Sequence, residues 1–147
     1  MKKIAIWTIL LSAVAIIVLF TITNVVSEWL PSQKIAQNFY DSDCASLEIV
    51  VQYLSKSDTD WLITEEKPYG ETIDNNHAVK ALDQLFDDGY LEIGKQGDTI
   101  YFLRWTRWND FGAGLAYTIH KEQNPKVDYI VNFEPLSQDQ WYYYETN

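Results

Sequence analysis

The chain has 147 residues, a formal net charge of −10 and one cysteine. That length holds one domain plus an appendage. The acid excess excludes a basic patch for nucleic-acid phosphates, and the lone Cys44 excludes an internal disulfide, so the fold rests on its hydrophobic core.

The appendage comes first. Met1-Lys2-Lys3 precedes Ile4 to Val26, which carries no charge. As a helix this stretch spans about 34 Å, enough for a bilayer core of roughly 30 Å. Ser12-Ala13-Val14-Ala15 offers small residues to a signal peptidase, but the apolar run continues past them through Phe20. The reading is therefore an uncleaved membrane anchor over residues 1–26. Lysines ahead of the span place the N-terminus in the cytoplasm and the rest outside it. Eleven basic residues less Lys2 and Lys3 leaves nine, against twenty-one acidic ones, all beyond the anchor. The electrostatic match for such a domain is a cationic protein.

Residues 27–43 read as a juxtamembrane helix and linker, broken at Pro31 and again at Asp41-Ser42-Asp43. Residues 44–147 read as the external domain. Leu47, Val50, Val51 and Leu54 recur at helical spacing, so a helix is expected over Cys44 to Ser55. Trp61 to Thr64 reads as a short strand. A second helix is expected from an Asp74 cap to Asp88, with Val79, Leu82, Leu85 and Phe86 inward and Gly89 at its left-handed end.

After Gly89 the period changes to two. Strands are expected at Leu91 to Ile93, Thr99 to Trp108, Leu115 to Lys121 and Tyr129 to Glu134, with Trp141 to Glu145 as a further edge. Asn109 to Gly114 reads as a hairpin loop, and short connections predict antiparallel neighbours. The fold class is α+β: two or three helices on one antiparallel sheet of four to five strands. Asn75 to Leu103 has the helix-then-hairpin order of a winged helix. However, Asp83, Asp87 and Asp88 against Lys80 speak against DNA.

The only two arginines lie in RWTRWND, Arg104 to Asp110. Strand alternation puts Arg104 and Arg107 on opposite faces unless a bulge intervenes. One face is the expected core: Ile100, Phe102, Leu115, Tyr117, Ile119, Tyr129, Val131 and Phe133. Arg104 falls at its edge, where a buried guanidinium requires a carboxylate. Glu48, Asp83 and Asp87 are the candidate partners in a structural ion pair.

On the second face the simplest register gives the rows Arg107–Ala116–Glu134, Trp105–Thr118–Asn132 and Leu103–His120–Ile130. It gathers Trp105, Arg107, Thr118, His120, Asn132 and Glu134 into a candidate binding surface, because Trp and Arg are residue types that dominate interface hot spots. The plain alternative is a solvated sheet face. His120 with Glu134 offers general acid–base chemistry to a hydrolase, and Trp105 offers a platform to a sugar. No motif in the sequence calls for a metal or a cofactor: Asp58-Thr59-Asp60 lacks the rest of a calcium loop, and Gly112-Ala113-Gly114 reads as a hairpin turn.

Overall fold

The computed structural model describes residues 31–66, 69–107 and 111–146, without the side chains of Glu71 and Arg107. The expected anchor over residues 1–26 lies outside the described residues. Among the described residues no helix is long and apolar enough to cross a membrane.

The elements in chain order are α1 (Gln33–Leu54), β1 (Trp61–Thr64), a 3-10 turn at Tyr69–Glu71, α2 (Asn76–Asp87), β2 (Glu92–Gln96), β3 (Thr99–Arg107), β4 (Phe111–Thr118), β5 (Ile130–Pro135) and β6 (Trp141–Thr146). They form an α+β unit: two helices packed on a six-stranded antiparallel sheet.

Asp41-Ser42-Asp43 does not break the first helix, which is one continuous element of 22 residues. Neighbouring packing outweighs the turn preference of these polar residues. Ala36, Tyr40, Leu47, Val50, Val51 and Leu54 are buried along it, so the apolar stripe starts well before Cys44. Asn75, not Asp74, caps α2: its Oδ1 accepts from the amides of His77 (2.9 Å) and Ala78 (3.1 Å). Gly89, with φ +94°, ends α2. The Tyr90 amide donates to the Leu85 carbonyl and the Gly89 amide to that of Phe86, the bond pair of a left-handed helix stop.

The sheet order is β1-β2-β3-β4-β6-β5. Trp141–Thr146 is therefore an interior strand, and β5 is the edge. The long connection from Thr118 to Ile130 lets β5 skip a place, and the short connection after Pro135 folds β6 back into the gap. Aromatic content explains β6's central place: Trp141, Tyr143 and Tyr144 are each no more than 2 % exposed.

The β3–β4 register also departs from expectation. Tyr101 pairs with Ala116 and Arg107 with Phe111, and a register shift lies between Leu103 and Trp105. Gly112, Ala113 and Gly114 are strand residues, not a turn. Their small size is needed because a side chain at Gly114 would run into the Phe102 carbonyl, and one at Gly112 into the Leu103 side chain.

Both faces of the sheet are apolar. On the helix side Ile93, Ile100, Phe102, Leu115 and Trp141 are buried. On the other side Tyr101, Ala116, Val127 and Tyr144 form a second cluster, joined by Leu103, Ile130, Phe133 and Tyr142. The long β4–β5 connection supplies Val127 to it, which is how a loop comes to cover the face expected to be polar. Phe133 and Tyr129 thus leave the helix side: Tyr129 packs edge-on to Tyr101 at 5.7 Å. Val131 sits at a second register shift, between Ile130 and Asn132, and is 60 % exposed.

Candidate functional site

Arg104 lies at the register shift in β3. A bulge places two successive residues on one side of a strand, and here Arg104 and Trp105 both meet α1. The Arg104 Nη1 donates to Asp43 Oδ2 at 2.9 Å, and the Tyr90 hydroxyl donates to the same oxygen at 3.1 Å. The guanidinium carbon stands 3.9 Å from the Phe39 ring centroid, 4.7 Å from Tyr90 and 5.8 Å from Trp105. The Arg104 and Asp43 side chains are only 13 % and 9 % exposed.

The partner is Asp43, not Glu48, Asp83 or Asp87. Glu48 and Asp83 are otherwise engaged, and Asp83 and Asp87 are exposed. Glu48 accepts from the Tyr40 hydroxyl and the Trp141 indole, both at 3.2 Å, and Asp83 from the Tyr69 hydroxyl at 2.6 Å. Burial, then the Asp43 charge, pushes the Tyr90 phenol well up, with Arg104 opposing. Within the cluster the guanidinium meets its counter-charge at Asp43 and the faces of three rings. The cluster joins α1 to the sheet and offers little to a ligand. Phe39 and Asp43, one turn apart on α1, were not readable as its walls because Asp43 was expected in a turn.

Of the six residues expected to share a face, the five with described side chains are not gathered into one surface; only Asn132 and Glu134, two apart on β5, stay on one face. Trp105 turns to the helix side, its ring 5.3 Å from that of Phe39. The Arg107 backbone pairs with Phe111, and its side chain lies outside the described residues. Thr118 pairs with Thr99 at the far end of β3 and β4. His120 follows β4 in a bend, exposed, with Nε2 3.7 Å from Asp98 Oδ1. Asn132 and Glu134 pair with Glu145 and Tyr143 across β6. The rows fail because β6 intervenes between β4 and β5 and because the β3–β4 hairpin closes nearer to Arg107 than a turn at the glycines would allow. β6 therefore stands between Glu134 on β5 and the end of β4, after which His120 lies in a bend. Glu134 is level with Tyr143 and Leu115, and Thr118, the last residue of β4, is three residues further along, about 10 Å at strand rise.

A surface concavity of about 620 Å³ follows β4 and is lined by Ile119, His120, Lys121, Glu122, Gln123 and Gln140. Two further concavities lie elsewhere on the surface. One, of about 310 Å³, lies over the β2–β3 turn and is lined by Asp98, Thr99, Thr118, Asn124, Lys126 and Asp128, among others. Its walls are mostly satisfied from within. The Lys126 amide donates to Thr99 Oγ1 at 2.9 Å, and Gln96 and Asp128 exchange two hydrogen bonds. The buried Thr118 hydroxyl has no hydrogen-bond partner among the described residues. The other, of about 460 Å³, flanks β1 and is lined by Thr59, Asp60, Trp61, Leu62, Tyr69 and Thr72, with Ile63 at its floor. Among the described residues no group of three or more His, Cys, Asp or Glu side chains could hold a metal ion.

The unit is thus a small α+β domain whose functional groups are dispersed over its surface. Comparison with protein-family models, curated proteins and solved structures finds no match to the chain.

Proposed function

We propose that the chain is a membrane-anchored, extracytoplasmic binding module that engages a cationic protein, in the manner of an immunity, inhibitor or accessory protein. The anchor is the uncharged stretch Ile4 to Val26 behind Lys2 and Lys3. The observation that carries the reading is the surplus of exposed carboxylate. Beyond the anchor twenty-one acidic residues face nine basic ones, and of those nine Arg104 and Lys121 are already tied to Asp43 and Asp139. Asp58, Asp60, Glu65, Glu66, Asp83 and Asp87 are all exposed. Such a surface steers and holds a partner of opposite charge. The separation of His120 from Glu134, and the engagement of Trp105 with Phe39, leave the hydrolase and sugar-binding readings without a supporting constellation.

The test is crosslinking of the full-length protein in its native membrane, with mass spectrometry of what is captured. A parallel variant has its exposed carboxylates converted to amides. A basic protein captured by the wild type, and lost from the variant and at high salt, is the expected result. Capture that is indifferent to both changes would overturn the electrostatic reading.

A further inference from the structure

We propose that the free edge of β1 is the docking strand for the partner, which adds to the sheet as an extended basic segment. This rests on the binding-module reading above and names where and how the partner binds.

The sheet has two edge strands, β1 and β5. An exposed edge is a template for another chain unless something blunts it. β5 is blunted three ways. Its register shifts at Val131, it ends in Pro135, and α1 reaches over its end. There the Gln33 side-chain amide donates to the Pro135 carbonyl, and Gln37 Oε1 accepts from the Ser137 amide. β1 has none of these devices. Trp61-Leu62-Ile63-Thr64 contains no proline, glycine or lysine, pairs without interruption with Lys95 to Glu92 of β2, and has no second neighbour among the described residues. In an antiparallel pair alternate residues direct their N–H and C=O groups away from the partner strand, so β1 presents an unpaired row.

The side chains suit an extended peptide. Ile63 is 2 % exposed and fixes the strand to the core, whereas Leu62 is 49 % exposed. Trp61 is held by a 2.8 Å bond from its indole to Ser57 Oγ and packs edge-on against Tyr53 at 6.2 Å. The 460 Å³ concavity opens beside Leu62, bounded by Tyr69 and Thr72. It has room for an apolar side chain of an added strand, whose residues alternate between the two faces.

Charge selects the occupant. Asp58 and Asp60 precede the strand, Glu65 and Glu66 follow it, all four are exposed, and Ser57 to Glu66 contains no base. Lys56 and Lys67 stand next in sequence on either side and Lys95 lies opposite Trp61 on β2, so the four carboxylates still outnumber the bases around the strand. A second copy pairing through β1 would bring two sets of four carboxylates together, a juxtaposition that like-charge repulsion opposes. A segment alternating basic and apolar residues satisfies the backbone row, the concavity and the flanking acids at once.

The experiment uses the full-length protein in detergent micelles at low ionic strength. The probes are two synthetic peptides of equal charge: one alternating lysine and valine, the other with proline at alternate valine positions. Binding is read by fluorescence anisotropy of the labelled peptides, and location by amide hydrogen exchange across residues 61–64. The lysine–valine peptide is expected to bind and to slow exchange in β1. It should weaken by about tenfold in the D58N/E65Q/E66Q variant, because rim charges tune such contacts, and the proline peptide should bind far less. Asp60 is left intact there because its carboxylate accepts from the Gly97 amide. Equal binding of both peptides without protection of β1 would overturn strand addition while leaving the cationic-partner reading standing. Binding of neither peptide would overturn the docking strand and also remove the electrostatic basis of the module.

Discussion

Arg104 and Asp43 meet at 2.9 Å across 61 positions of sequence, and the oxygen that receives the guanidinium also receives the Tyr90 hydroxyl. Removing the cation leaves a carboxylate that is 9 % exposed with two neutral donors, the Ser42 and Tyr90 hydroxyls, and no counter-charge. Arg104→Met is expected to cost on the order of 3 kcal/mol in urea unfolding, the usual result of breaking a buried pair from one side. Arg104→Lys should recover only part of this, since an ammonium cannot spread over the Phe39 and Tyr90 rings as a planar guanidinium does. The double variant Arg104→Met with Asp43→Leu should regain most of the loss, because no charge is then stranded. If single and double variants unfold at the same urea concentration, the stranded carboxylate is not the source of the cost.

Gly114 gives a second, independent test of the sheet. It lies in β4 where an added Cβ would press on the Phe102 carbonyl, with the Tyr144 ring on another side. Backbone in mid-sheet does not move aside, so Gly114→Ala is expected to cost on the order of 3 kcal/mol, the upper range for overpacking. Gly70 has open space around its Cα, and Gly70→Ala should stay within about 0.5 kcal/mol of wild type. Thermal unfolding of the two variants side by side is the measurement. A Gly114→Ala protein as stable as Gly70→Ala would return these glycines to a turn.

The same glycines show where the sequence was legible and where it was not. Helix faces could be read from spacing: Leu47, Val50, Val51 and Leu54 on α1, and Leu82, Leu85 and Phe86 on α2, are buried. The α+β class, Gly89 as a helix stop and the antiparallel pairing were equally local. The sheet was expected with four to five strands and has six, because segments as short as Trp61 to Thr64 and Trp141 to Thr146 can be read as strands without showing that they join the main sheet. Register was not legible, since it depends on where a hairpin closes. Gly112-Ala113-Gly114 has turn composition but serves close strand approach. A bulge at Arg104 then changes parity along β3. Those two facts, with the insertion of β6 between β4 and β5, dispersed Trp105, Thr118, His120, Asn132 and Glu134. The β1 edge was missed because exposure of a strand edge follows from sheet order, which a single sequence does not carry.

The buried phenols predict how the domain responds to alkali. Burial first, then the Glu48 charge, pushes Tyr40 up from 10.0 to about 12. Burial also raises Tyr90, Tyr101, Tyr143 and Tyr144. A phenol whose pKa is higher folded than unfolded holds its proton more tightly in the native state. Its contribution to stability is complete below the unfolded pKa of 10.0 and is lost as pH rises through the folded value. The domain should therefore keep its stability across neutral pH and unfold cooperatively as pH climbs from about 10 towards 12 and beyond. Tyrosinate absorbance from these phenols should then rise together with loss of the far-ultraviolet circular dichroism. Tyr40→Phe keeps the ring against Trp141 at 4.9 Å and removes one ionisable group, so its unfolding should depend less steeply on pH over that interval. Tyrosinate absorbance that develops fully while the dichroism stays native would show that the interior does not hold these protons, and would count against the packing of β6 in the centre of the sheet.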